Sequence, residues 1–540
     1  MKKIVLISCI TLFCLLQFAG PLNSQTAGNS ESKRLSAGFY KGRREALRRM
    51  MPSNSVFVLF ASSERAFSGD VDYVYHQNPD LFYFSGYLEP NSMMYIFKEP
   101  QSVSGIGFPV NEVLFTPSLN AQTVAFIGKK MGAEEAMQEL GIQLAIETSK
   151  YAAFPVDIST FNMIITDRIP SDIRDDDSQS GLSGLIREFR KKAGITDQPG
   201  NLSVIFANYI AELKGDEQQV RFIQQVKSYI SMQPDKVNID PLLTRYLDSS
   251  DSISRAKIQD SIVNKRINHL YFNRFTASLR EIKTGEEIEV IRKAIDITCT
   301  GHREVMKAAT PEMSEREIQG IHDFMYKLNG ASEIGFPMII ASGNNGCILH
   351  YQDNDVPKVG NNLVLMDVGA MLKGYSADVT RTIPANGKFS SEQLAIYNLV
   401  LKAQDSAFSY CKHGISYAKL DEAGRKVIGN GLKKLGIIDD ARKFSIYYPH
   451  GISHPIGLDV HDKFNFQTSL INDMIITLEP GIYIPVGSAC DKKWWGIAVR
   501  IEDDVLISNN NPVNLSLAAP RKAHDIETLM KKTSPFNHLK

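Results

Sequence analysis

Two aspartates in one apolar hairpin place the strongest constraint on this chain. Residues 363–382 read as two β segments around a turn. Asp367 lies in the outgoing run Leu363-Val364-Leu365-Met366-Asp367-Val368-Gly369, and Asp378 in the returning run Tyr375-Ser376-Ala377-Asp378-Val379-Thr380. A four-residue turn over residues 371–374 sets Asp367 directly opposite Asp378. Facing side chains on antiparallel strands bring Cβ atoms to about 4.5–5.5 Å, where two like charges oppose folding. Either aspartate alone would read as a solvated residue at a strand end. A facing pair among apolar neighbours needs a neutralising partner, and a divalent cation supplies one.

Two more carboxylates end β-like runs. Glu479 closes Met474-Ile475-Ile476-Thr477-Leu478 and precedes Pro480-Gly481, which points to a buried strand end; Glu502 closes Ile497-Ala498-Val499-Arg500-Ile501. Asp503 and Asp504 read as solvated. Three of the eleven histidines, His450, His454 and His461, fall in one stretch rich in glycine and proline. Their spacing differs from the helical His-Glu-x-x-His zinc motif. One histidine with four carboxylates is an oxygen-rich donor set suited to manganese, iron, cobalt or zinc, with manganese favoured by the oxygen content. Four carboxylates also suffice to bridge two cations.

At 540 residues the chain is long enough for two or three domains. Residues 33–50 are basic and helix-prone. β-rich runs at 55–61, 93–97 and 113–115 alternate with helical patterns such as 133–140, which predicts an α/β N-terminal domain. Residues 172–184, rich in Asp, Ser and Gly, read as an exposed loop. Residues 215–274 carry helical spacing and no readable function. From about residue 279 helices are predicted at 286–308 and 314–328, then at 390–411, where Ser390 and Gln393 form a capping box, and at 417–435. Met313-Ser314 with Ile318 corresponds to Ile415-Ser416 with Leu420 at a constant offset, and each helix pair leads to a β segment carrying histidine. The pattern predicts an internal duplication of a helix-helix-strand unit.

Sixty basic residues balance sixty acidic ones, so charge supports neither a nucleic-acid partner nor an anionic membrane surface. Lys2 and Lys3 precede an apolar run from Ile4 to Ala19 that is short for a bilayer span and is followed by small polar residues. This is the signal-peptide pattern, with cleavage expected after Ser24 and an exported, periplasmic or secreted mature protein without a membrane anchor. Cys299, Cys347, Cys411 and Cys490 are widely spaced, form no zinc pattern, and read as mostly buried thiols.

Five separated motifs occur in order: Cys347-Ile348-Leu349-His350-Tyr351; Met366-Asp367-Val368-Gly369; Asp378-Val379-Thr380-Arg381-Thr382; His450-Gly451-x-x-His454 with Gly457-Leu458-Asp459-Val460-His461; and Glu479-Pro480-Gly481 with Arg500-Ile501-Glu502-Asp503-Asp504. Over residues 279–508 the chain closely resembles the pita-bread metallopeptidases of the aminopeptidase P and prolidase branch. Tyr75-His76-Gln77-Asn78-Pro79-Asp80 onward resembles that family's non-catalytic domain, although members often carry arginine and aspartate where this chain has His76 and Pro79.

The resemblance implies an α/β (α+β) chain with a creatinase-like N-terminal domain and a pita-bread catalytic domain. The expected division is a signal peptide over 1–24, the N-terminal domain over 33–170, a linker or additional helical region over 171–276, the catalytic domain over 277–515 and a tail over 516–540. Asp367, Asp378, His454, Glu479 and Glu502 are the implied ligands of two divalent metal ions. His350, His450 and His461 would surround substrate, and Arg500 would lie near the proline-binding side. The implied reaction is hydrolysis of the bond before a proline in second position by a hydroxide bridging two metals, with Glu479 also a proton acceptor and His461, or His350 with it, stabilising the oxyanion. A homodimer or higher homo-oligomer is implied. Prolidase activity on dipeptides and, from another class, a peptide-binding module without catalysis are the alternatives.

Overall fold

A computed structural model describes residues 33–538 apart from 119–123, 126–127, 172, 174–180, 196–199, 233–239, 466–468 and 510. The expected signal peptide lies outside these residues, as does most of the 172–184 loop. The end of that loop is instead helical, because Leu182, Leu185 and Ile186 are buried. Among the described residues no helix is long and apolar enough to cross a membrane. The four described cysteines are free, with Cys299 and Cys411 buried.

The N-terminal domain is built on a six-stranded sheet. Its elements are α1 (Ala37–Met50), β1 (Ser55–Phe60), α2 (Pro79–Ser85), β2 (Met93–Gln101), β3 (Val110–Thr116), α3 (Ala133–Leu140), β4 (Ala145–Glu147) and β5 (Met163–Thr166), closed by β6 (Ile267–Asn268). The strand order is β4-β3-β2-β1-β5-β6. Central β1 is antiparallel to β2 and parallel to β5, and all six of its residues are buried. Burial on both faces explains why it reads as an unbroken apolar run rather than an alternating one. Between β5 and β6 the chain runs through α4 (Leu182–Ala193), α5 (Asn201–Glu212), α6 (Asp216–Met232), α7 (Pro241–Asp248) and α8 (Ser252–Val263). Leu185 and Phe189 of α4 join the core of the sheet. Helices α5–α8 share a small core of their own around Tyr246.

Helix α9 (His269–Arg280) leads into the C-terminal half. There α10 (Gly285–Ala308) and α11 (Glu315–Leu328) precede β7 (Ile339–Ser342), β8 (Leu363–Val368), β9 (Ala370–Leu372), β10 (Tyr375–Ser376) and β11 (Val379–Pro384). A second pair, α12 (Ser391–Phe408) and α13 (Tyr417–Lys434), precedes β12 (Ile475–Leu478), β13 (Gly481–Ile484), β14 (Ile497–Arg500) and β15 (Asp503–Leu506). Thr284 with Glu287, Ser314 with Glu317 and Ser390 with Gln393 close capping boxes at α10, α11 and α12. Ser314 and Ser416, matched by the sequence offset, are the N-cap residues of α11 and α13. Helix α10 packs on β9–β11 and α12 on β12–β14, so the repeat is visible in the packing. Helix α14 (Ala523–Leu529) buries Ala523, Ile526 and Leu529 in the core of this half.

The hairpin differs from the sequence reading. Its turn has two residues, Lys373 and Gly374, both at positive φ (52° and 85°), as a two-residue primed turn requires. Asp367 therefore pairs with Thr380, and Met371 with Ser376. The four-residue turn assumed from sequence shifts the register by two. Because side chains alternate with period two, that shift keeps Asp367 and Asp378 on one face. Gly374 also lets the N-terminal domain approach: a Cβ there would lie 3.0 Å from Phe82 of α2 and 3.3 Å from Leu458. The Asn78-Pro79-Asp80 motif makes α2 the docking element. Asn78 caps it, Pro79 starts it, Gly86 ends it in the left-handed region, and the Tyr83 hydroxyl donates to Leu279 O at 2.6 Å.

Candidate active site

Five elements deliver the carboxylates and histidines to one cavity. Asp367 is the penultimate residue of β8, Asp378 precedes β11, Glu479 follows β12, and Glu502 joins β14 to β15. His454 stands on a stretch zipped to β12: its amide donates to Thr477 Oγ1 at 3.1 Å and its carbonyl accepts from Thr477 N at 2.8 Å. Glu479 N in turn donates to Ile452 O at 2.9 Å. This ladder sets His454 Nε2 3.4 Å from Glu479 Oε1 and 3.5 Å from Asp378 Oδ2. Among the described residues, one donor atom each from Asp378, His454 and Glu502 lie within 4.8 Å of one another. Asp367, Asp378, His454, Glu479 and Glu502 line a single cavity of about 400 Å³, together with His350, His450, His461 and Arg500.

The cluster is electrostatically crowded. Burial first, then the charges of Asp367, Asp504 and Glu479, hold Asp378 well above the carboxylate range. Glu502 is raised by burial and by Asp378, Glu479 and Asp367, and Glu479 by burial, with Asp367 adding to it. Oδ1 of Asp367 and Oδ1 of Asp378 are buried without a hydrogen-bond partner. Unsatisfied, mutually repelling acceptors beside an imidazole fit a divalent cation.

Several contacts were not anticipated from sequence. Arg500, 4% exposed, donates from Nη2 to Asp367 Oδ2 at 2.5 Å and from Nη1 to the Tyr483 hydroxyl at 3.0 Å. That hydroxyl lies 2.8 Å from His450 Nε2, and His450 Nδ1 lies 2.8 Å from Gly451 O. Arginine only donates, so the tyrosine oxygen accepts from it and its single proton goes to Nε2. The network thereby assigns His450 as the neutral tautomer with its proton on Nδ1. Burial, then Arg500, pushes this imidazole down to about 4. His450 thus lines the cavity with both nitrogens engaged.

Asp503 and Asp504, read from sequence as solvated, are buried (1% and 0% exposed). Asp503 Oδ1 accepts from Arg381 at 2.6 Å. Asp504 Oδ2 accepts from the Asp378 amide at 3.1 Å, which holds that residue out of the ladder. Thr380, Arg381 and Tyr483 were overlooked as supporting residues. Strand alternation was the available signal, since Thr380 lies two residues from Asp378 on the same face.

Fold and site together define a two-domain metallohydrolase. Residues 289–509 match metallopeptidase family M24, and residues 40–159 match the aminopeptidase P N-terminal domain. The Xaa-Pro aminopeptidase of Escherichia coli (strain K12) is 28% identical over 503 residues, covering 91% of this chain and 97% of that protein. Among solved structures, aminopeptidase P from E. coli with the inhibitor Pro-Leu superposes with a TM-score of 0.70 at 26% identity, covering 92% of this chain and 98% of that one. Pseudomonas aeruginosa aminopeptidase PepP gives 0.70 at 26% identity, with coverage of 92% and 99%. The chain belongs to metallopeptidase family M24, and its N-terminal domain places it in the aminopeptidase P branch.

Proposed function

We propose that this chain is a metal-dependent Xaa-Pro aminopeptidase, hydrolysing the bond between an N-terminal residue and a following proline. The observation that carries the reading is the convergence of Asp367, Asp378, His454, Glu479 and Glu502 on one cavity rimmed by His350 and His461, in a chain whose two domains both match those of its Xaa-Pro aminopeptidase relatives. These five residues would hold two divalent ions, and their oxygen content favours manganese over zinc, cobalt or iron. Bound there, such ions lower the pKa of water and polarise a carbonyl.

The chain's own groups supply the rest. Glu479, whose burial raises its proton affinity, takes the proton released as water attacks. Burial first, and then His454, lowers the proton affinity of His461, whose ring N–H would donate to the oxyanion. Proline nitrogen carries no hydrogen, so a site that aims at the carbonyl side suits this bond. Phe336, Pro337, Ile339, Leu349 and Val460 line the apolar part of the wall, matching a proline ring. Export to the periplasm or medium rests on the Lys2-Lys3 and 4–19 pattern, and assembly as a homo-oligomer rests on the family resemblance. The test is hydrolysis of Xaa-Pro dipeptides against longer Xaa-Pro peptides by manganese-loaded and chelator-treated protein. Metal-dependent cleavage of the longer peptides is expected. Cleavage confined to dipeptides would make it a prolidase, and none in either form would overturn the enzymatic reading.

A further inference from the structure

His461 stands on a stretch without regular secondary structure, and charge holds that stretch in place. Asp459 and Asp462, on either side of it, both accept from Arg280 Nη2, Asp459 Oδ2 at 2.6 Å. Arg280 Nη1 donates at 2.8 Å to Asp80 Oδ1. Lys283 Nζ lies 3.1 Å from Asp462 Oδ2, and Lys463 Nζ 2.7 Å from Asp80 Oδ2. Arg280, Lys283, Asp80 and Asp462 are each at most 5% exposed. Arg280 ends α9, Asp80 lies in the first turn of α2, and the other two carboxylates flank His461. Three distant parts of the chain therefore meet on one guanidinium.

The backbone is fitted to the same arrangement. Gly457 N donates to Asp459 O at 3.1 Å, Asp462 N to Pro455 O at 2.9 Å, and Ser376 N, on the hairpin that carries Asp378, to Gly457 O at 2.8 Å. A Cβ at Gly457 would lie 2.0 Å from Asp462 Oδ2, so only glycine admits that carboxylate. Without such anchoring His461 has room to leave. A second cavity, of about 500 Å³, shares Phe336, Pro337, Val460 and His461 with the first and continues to Asp459 and His76. His461 therefore lines both cavities.

Burying charges is costly, and enclosed ion clusters are seldom more stabilising than apolar packing. A planar guanidinium instead fixes geometry, because its fork accepts carboxylates in few arrangements. We propose that Arg280 is a positioning residue for hydrolysis: through Asp459 and Asp462 it aims His461 into the metal cavity, and through Asp80 it ties that aim to docking of the N-terminal domain. The inference rests on the reading of His461 as a donor to the oxyanion.

A double-mutant cycle tests it. Arg280→Lys keeps the charge and loses the fork. Asp459→Asn changes a carboxylate whose side chain is 42% exposed, and so carries the test should the buried substitution fail to fold. Each is measured alone and with His461→Ala, for kcat, KM, metal content and melting temperature on one Xaa-Pro peptide. The expected result is a loss of kcat of about 10–100-fold, the scale of a misplaced reacting group, with KM and metal content held and no further loss in the His461→Ala background. Histidine-labelled metal-free protein gives a readout independent of turnover. The ring signal of His461, identified by its absence in His461→Ala, should move or broaden in Asp459→Asn. Full additivity in the double variant, or an unmoved signal, overturns the proposal. Wild-type turnover in His461→Ala alone would instead strike the underlying reading, leaving the ring signal to decide the positioning.

Discussion

Thr380 donates its hydroxyl to Glu502 Oε2 at 2.6 Å and accepts the Glu502 amide on its carbonyl at 3.1 Å. One residue therefore orients both the backbone and the carboxylate of a proposed ligand. Groups that orient ligands typically tune metal affinity about 10–100-fold. Thr380→Val, which keeps the shape and removes the hydroxyl, should weaken manganese binding by that factor in calorimetric titration. Unchanged affinity would show that Glu502 needs no such support.

His454 and His461 pack edge to face, with centroids 4.3 Å apart, yet they are assigned different work. His454→Ala should lower metal content and activity together. His461→Ala should keep its metal and its melting temperature while kcat falls about 10²–10³-fold, the range for one oxyanion donor. Metal analysis beside kcat separates the cases: lost metal would make His461 a ligand, and an intact kcat would make it structural.

The crowded acids predict a pH signature in the metal-free protein. Asp378, Glu502 and Glu479 all bind protons more tightly folded than unfolded. The folded state thus holds more protons than the unfolded chain at pH values above the ordinary carboxylate pKa near ~4, and stability falls as pH rises from there through the raised folded values. Chelator-treated protein should melt lower at neutral pH than in mild acid, and Asp378→Asn should flatten the slope. Metal loading should release protons and remove the dependence. A metal-free melting curve that rises with pH across this window contradicts the assignment.

Arg381 is fully buried and donates to Asp503 Oδ1 at 2.6 Å, Glu502 O at 2.6 Å and Ala519 O at 2.9 Å. Arg381→Met leaves Asp503 buried without its main partner, a class of change costing about 3–5 kcal/mol. Urea unfolding should register that loss, and adding Asp503→Leu should restore part of it. A loss under about 1 kcal/mol would place this pair with weak surface bridges.

What could be read from sequence was what is decided locally. The box at Ser390 announces a helix start within four residues, and the β-rich run at 55–61 announces the strand β1. The aspartate pair was legible because period-two alternation survives an error in the turn. What failed depended on distant partners. The burial of Asp503 and Asp504 follows from Arg381 and from Ser516, whose hydroxyl accepts from the Asp504 amide at 2.9 Å. Nothing beside the two aspartates announces these contacts. The hairpin register turned on two residues able to hold positive φ. The engaged tautomer of His450 needed Tyr483 and Arg500, brought together only by β13 pairing with β14.

The excursion through α4–α8 leaves the sheet at β5 and returns on the neighbouring strand, with Ile164 paired to Ile267 and its amide donating to Arg266 O at 2.7 Å. Adjacent strands lie about 4.8 Å apart, and because β5 and β6 run parallel the detour is a crossover whose ends lie at opposite ends of two short neighbouring strands. Loop length is thermodynamically cheap when the ends are already held. The α5–α8 module, with its own small core, can therefore be shortened, replaced or made to carry a fused reporter, while α9 still presents Arg280 at the same spot.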